Sequence, residues 1–321
     1  MDVTGGNKSR LADAIRRYRV PVVMVVLMLL PAITPSYASA TNVLILTLAA
    51  AAFNLVFGYG GMLSLGHAAF YGIGGYACGI AITRWSLGWN YGLALAMGAG
   101  VLLALIVGTL AIRTRGIYFG MVTLALAECV HFVVFQASSI TGGDNGLRGI
   151  NVPSITLLTT NISLIQPANK YYFILVFVGL ALWFISRVLA SPFGSALEAV
   201  RENETRAFAC GIHVERVRLV AFLISGGLMG LAGALMAIHL ATITPESLTY
   251  HMSGQILMMA LLGGMGTFIG PLVGAGVFVT VEHVLSEYTS HWQLVVGALY
   301  ILLVLFFPRG IWGSIVRWMR S

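Results

Sequence analysis

NVLILTLAAAAFNLVFGYGGMLSLGHAAF, residues 42–70, holds no Asp, Glu, Lys or Arg and sets the fold class. A predominantly apolar run fills 42–57, glycines at 58, 60, 61 and 66 interrupt it, and a second run follows over 69–83. A helix crosses hydrocarbon with about 20 apolar residues, so the stretch reads as two membrane helices around a glycine-rich break. The whole chain of 321 residues agrees: it is 58% hydrophobic, 9% charged and has mean hydropathy +0.90, where soluble domains carry about 25% charged residues. A soluble enzyme, a disordered chain and a nucleic-acid binder are excluded. The net charge of +7 comes from basic residues beside apolar runs, the positive-inside pattern of membrane proteins.

Working outward, further runs fall at 20–30, 91–112, 117–136, 171–186, 219–240, 253–265, 270–284 and 292–307. About ten spans are expected, in an all-α integral membrane protein. Residues 1–19 form a basic tail that the charge bias places in the cytoplasm. The same pattern imitates a signal peptide, with Ala38-Ser39-Ala40 as a cleavage look-alike, and is read as a retained first span. Counting alternately then puts Arg113, Arg115, the 187–218 loop and the tail 314–321 inside, with Arg84, Arg148 and Lys170 outside. The membrane domain spans 20–313. Thirty-eight glycines suit close helix packing. Cys78, Cys129 and Cys210 are far apart and lack metal-ligand spacing, so they read as small packing residues.

Gly60-Gly61-Met62 in the first break is echoed by Gly264-Met265-Gly266 in a second, 263–270. Paired interruptions in the two halves of a chain point to an inverted-repeat transporter with its pathway at the breaks. A helix restarting near Leu65 offers free amides and a positive dipole end to a solute carboxylate, with Ser64, Gly66 and His67 at that seat; close packing of the glycines is the competing reading. Glu128 is an ionisable residue inside a span and a default functional suspect. Glu128 with His131 makes one E-x-x-H, too little for a metal bundle. No metal site, no catalytic constellation and no P-loop is read in the sequence, so any nucleotide hydrolysis has to come from another subunit.

The outer loop 138–169 carries a turn-rich stretch, Thr141, Gly142, Gly143, Asp144 and Asn145, that offers a surface to an external partner or serves as a connector. The inner loop 187–218 is built like a helix. Ser195 with Glu198 forms an S-x-x-E capping box, Glu202 and Arg206 pair at i,i+4, Ala199, Asn203 and Ala207 share a small-residue face, and Gly211 ends it. It lacks the large apolar face an interfacial helix buries in lipid, so it suits a protein partner.

Several motifs in order carry a family resemblance: 58–70 GYGGMLSLGHAAF, 141–147 TGGDNGL, 191–204 SPFGSALEAVRENE, 244–247 TPES and 262–267 LGGMGT. Over about 42–313 the chain resembles the M-type permease subunit of branched-chain amino-acid ABC importers. The resemblance implies a type II importer-like fold in a bacterial inner membrane, paired with a homologous H-type permease. It also implies two cytoplasmic ATPase subunits holding ATP and Mg, and an external substrate-binding protein. The solute would be leucine, isoleucine, valine or a relative; similar permeases carry urea, short amides or aromatic acids. Under it, Ser195, Glu198, Ala199, Arg201, Glu202, Arg206 and Gly211 lie on the segment coupling to the ATPase, 141–145 is the external landing surface, and Ser64, Gly66, His67, Glu128 and Gly264 are pathway candidates. A proton-coupled secondary transporter using Glu128 and an intramembrane enzyme are the other classes to separate from this one.

Overall fold

The computed structural model describes residues 20–32, 34–152, 154–157, 160–288, 291–306 and 310–318; the basic tail 1–19 lies outside them. In chain order the helices are α1 (Val20–Ala32), α2 (Tyr37–Asn54) continued by a π turn (Leu55–Tyr59), α3 (His67–Thr83), α4 (Trp89–Ala111), α5 (Ile117–Gln136), the four-residue α6 (Ser138–Thr141), α7 (Pro167–Leu189), α8 (Pro192–Glu202), α9 (Glu204–Ala209), α10 (Val214–Leu240), α11 (Tyr250–Gly263), α12 (Gly270–Tyr288), α13 (Trp292–Phe306) and α14 (Gly310–Trp318). Every apolar run expected from the sequence falls on one of these helices. Five of them, α2 with its π turn, α4, α5, α7 and α10, are long and apolar enough to cross a membrane, and α1 is a shorter apolar helix.

Small residues let α10 occupy the centre. Along α4, Ala96, Gly100 and Ala104 recur every fourth residue and face Gly226 and Gly230 of α10. A Cβ on Gly100 would strike the Gly226 carbonyl, and one on Gly74 of α3 would strike the Gly230 backbone. Such small-residue stripes bring backbones together where lipid removes any hydrophobic drive for helices to associate. The buried helix α2 packs between α7, α10, α11 and α12, whereas α4, α5 and α7 leave broad apolar faces uncovered.

The two ends of the bundle are fastened differently. At one end two short ladders depart from an all-α fold. β1 (Leu147–Arg148) pairs antiparallel with β4 (Thr242–Ile243), and β2 (Ser154–Leu157) pairs with β3 (Thr160–Ser163). Arg84 donates to the Ser139 carbonyl at 2.6 Å and Lys170 to the His239 carbonyl at 3.4 Å at this same end. At the other end Glu204 pairs with Arg115 at 3.3 Å and with Arg218 at 2.9 Å, and Gly310 of α14 packs on Gly264. Arg84, Arg148 and Lys170 thus lie at one end of the described bundle, and Arg115, Glu204 and Arg218 at the other.

Several local expectations are corrected. The capping box at Ser195 and Glu198 does not form: Ser191 is the N-cap of α8, Pro192 follows it, and Ser195 lies inside the helix. Proline at the first helical position is pre-organised for helix and needs no amide partner, so the Ser191-Pro192 pair overrides the S-x-x-E pattern. The single expected helix is two, because Asn203 turns extended (φ −157°, ψ 105°) and its side chain accepts the Arg206 amide at 2.9 Å as the N-cap of α9. Glu202 and Arg206 consequently sit on separate helices and form no ion pair, Asn203 is taken up as the cap between them, and Ala199 and Ala207 meet in the small cluster around Val200 and Val214. Gly211 does end the segment, at φ +83°, with the Ile212 amide reaching back to the Ala207 carbonyl. The boundary drawn at 313/314 falls inside α14. Cys78 is buried as a packing residue, but Cys129 and Cys210 are exposed.

Candidate functional site

The first break begins where the π turn lets α2 unwind. The Gly61 amide returns to Phe57 O at 3.0 Å and the Met62 amide to Val56 O at 3.1 Å, after which the chain runs without regular structure to His67. The amides that open α3 are taken by hydroxyls. Leu65 N donates to Thr123 Oγ1 of α5 (3.1 Å), Gly66 N to Ser64 Oγ (3.4 Å) and Ala68 N to Ser253 Oγ of α11 (3.0 Å). Orphan amides at a helix start must find such partners when buried. The seat expected for a solute carboxylate is therefore closed here, with Ser64 and His67 fully buried. Gly66 is needed for packing, since a Cβ would run into the Thr123 carbonyl.

His67 is tied across the bundle. Ser225 Oγ donates to Ala52 O at 2.6 Å and lies 3.1 Å from His67 Nε2. A hydroxyl has one proton to give, so Ser225 accepts from His67 and the imidazole proton sits on Nε2. Nδ1 has no hydrogen-bond partner among the described residues. The edges of Phe53, Phe70 and Phe222 enclose the ring at centroid distances of 5.0, 5.4 and 5.5 Å.

The second break is held by the first. Asn54, the last residue of α2, donates from Nδ2 to Thr267 O (2.9 Å) and accepts the Gly266 amide on Oδ1 (3.0 Å). Thr267 Oγ1 accepts from the Gly270 amide at 3.1 Å, capping α12. Arg201 of α8 donates to the Gly58 carbonyl beside this junction. The sequence reading singled out neither Asn54 nor Thr267. The signal for Asn54 was a lone amide in an apolar run, which in a membrane must be matched by another polar group.

The five pathway candidates do not form one site. Ser64, Gly66 and His67 meet at the first break, and Gly264 belongs to the second, ending α11 at φ +115°. Glu128 lies at the margin of the uncovered face of α5, its side chain 43% exposed, with Oε2 3.7 Å from His131 Nδ1 and Oε1 buried without a hydrogen-bond partner among the described residues.

Beside the first break, where Leu197 and Arg201 lie over Gly60 and Gly61, α8 and α9 rest on the bundle through a narrow buried line, Leu197, Val200 and Ala207, the last two packed with Val214. Ser195, Glu198, Arg201, Glu202, Arg206 and Gly211 are exposed and Ala199 is half-buried. Sequence reasoning missed Phe208, which is 71% exposed. It lines a surface cleft of about 540 Å³ with Arg115, Glu204, His213, Glu215 and Arg216. At the far end, Thr141 is buried and bonded to the Val134 carbonyl, and Gly143 is buried too; of the five loop candidates only Asp144 and Asn145 are fully exposed.

Comparison with known proteins places this arrangement. Residues 37–305 match the family described as branched-chain amino acid transport system / permease component. The LivM high-affinity branched-chain amino acid permease protein of Salmonella typhimurium is 30% identical over 85% of this chain and 68% of its own length. Escherichia coli LivM is 30% identical over 80% and 65%, so the chain spans about two thirds of these relatives. LivH of Salmonella typhimurium is 26% identical over 83% of this chain and 90% of its own. No solved structure matches. The chain belongs to the permease component family of branched-chain amino acid transport systems.

Proposed function

We propose that the chain is the M-type permease subunit of an ATP-driven importer for leucine, isoleucine, valine or a related amino acid. It pairs with an H-type homologue, and its ten helical runs cross a bacterial inner membrane as an inverted repeat with cytoplasmic termini. Two ATPase subunits carrying ATP and Mg drive it, and an external binding protein delivers the solute to the end bearing Asp144 and Asn145. Family membership supports the solute class, and the paucity of fixed charge suits an aliphatic zwitterion over a polyvalent ion. The observation that carries the coupling role is the α8–α9 projection, which gives the bundle a thin apolar line and turns Phe208 and its charged cleft outward. An exposed aromatic amid charged groups is the composition of an interface anchor. In this reading the seat at Ser64, Gly66 and His67 opens only in the other conformational state, biased by nucleotide on the partners.

The test is affinity purification from native membrane. Wild-type chain should bring down two ATPase subunits and a second permease, and the associated external protein should bind branched-chain amino acids. Phe208→Ala should lose the ATPase subunits while the permease pair survives. Uphill transport by the isolated polypeptide, or uptake driven by a pH gradient without ATPase subunits, would refute the proposal.

A further inference from the structure

Arg201 sits on α8, the segment that faces the ATPase in the reading above, yet its guanidinium turns inward. Nη1 donates to the Gly58 carbonyl. The stem of the side chain covers Gly61, where an added Cβ would stand 3.0 Å from Arg201 Cγ. The same Nη1 lies beside the second break, 3.0 Å from where a Cβ on Gly266 would be.

The Gly58 carbonyl is available for a reason. At the end of the π turn the amides of Gly60 and Gly61 both return to Phe57 O and that of Met62 to Val56 O, so no following amide reaches Gly58. A basic side chain is a suitable cap for the last carbonyls of a helix. One turn earlier, Asn54 fastens Gly266 and Thr267 to α2. Arg201 and Asn54 thus grip the same junction from two sides: the arginine from the α8–α9 projection, the asparagine from the buried helix.

We propose that Arg201 is the positioning residue through which a displacement of α8 reaches both helix breaks at once. It holds Gly58 and the 264–266 turn together in the closed arrangement seen here and lets them part in the other state. The inference rests on the importer reading and adds to it that this arginine acts within its own chain and does not dock the ATPase. A charge-assisted bond present in one state only is the differential contact that coupling requires. A lysine offers a point charge without the planar fork, so it replaces the arginine incompletely.

The experiment compares wild type, Arg201→Ala and Arg201→Lys in vesicles carrying the full complex with second permease, ATPase subunits and binding protein. For Arg201→Ala, the ATPase subunits should remain bound and hydrolyse ATP, while solute moved per ATP falls by about tenfold, equivalent to about 1.4 kcal/mol of state-selective bonding. Arg201→Lys should recover part of the loss, and adding Asn54→Ala to Arg201→Ala should cost less than the two singly, because they share one junction. An unchanged ratio of solute to ATP, or loss of the ATPase subunits from the complex, would overturn the assignment. Absence of ATP-coupled uptake in the wild type would instead sink the importer reading itself.

Discussion

Two polar side chains of the core, Ser225 and Asn54, tie separate segments of the chain to one another. Ser225 accepts from His67 and donates to Ala52, joining α10, α3 and α2 through one hydroxyl. Ser225→Ala leaves the imidazole Nε2 proton without an acceptor in a buried, aromatic-lined site. The expected loss is about 1–3 kcal/mol, read as a lower thermal midpoint of the purified subunit. His67 was legible as a notable residue because it follows the glycine break, but its bond to Ser225 was not, because the two stand 158 positions apart. Asn54 was not legible as the fastening of both breaks, because its partners lie more than two hundred residues away and nothing local announces a contact of that span.

At the scale of elements, the helices were the most readable part of the sequence, since apolar runs bounded by charge and glycine leave the backbone few other ways to satisfy itself in lipid. The α8–α9 segment was read less well. There three local signals competed, and proline after Ser191 together with the capping amide of Asn203 prevailed over the serine and glutamate pattern. The small-residue stripe between α4 and α10 makes a sharper claim. Gly230→Val forces a side chain into the Ala96 backbone and should cost about 3 kcal/mol through overpacking, lowering the yield of folded protein. Gly98→Val on the same α4 helix meets nothing within 4 Å and should leave yield unchanged; equal losses in both would show that glycine matters there for helix flexibility and not for packing.

For the whole molecule, alternate counting of spans and the observed sorting of residues to two ends make one joint prediction. Cys210 is exposed at the end that carries α8 and α9. With Cys129 changed to serine, Cys210 should react with a membrane-impermeant maleimide only from the ATPase side, and Asp144→Cys only from the opposite side. Labelling of both from one face would reject the alternating topology. The order of the helices was readable from charge and hydropathy, but which residues gather at each end was not, because that depends on pairings such as Leu147 with Ile243 across ninety-odd positions.

That ladder also has a mechanical consequence. β4 follows α10 with only Ala241 between them, and α10 runs 27 residues, about 40 Å at 1.5 Å per residue, to the end where Arg218 grips Glu204 of α9. One continuous pushrod therefore joins the two ends of the bundle: a load placed on Leu147 arrives at Glu204 through the same stiff member, with no relay of side chains needed along the way.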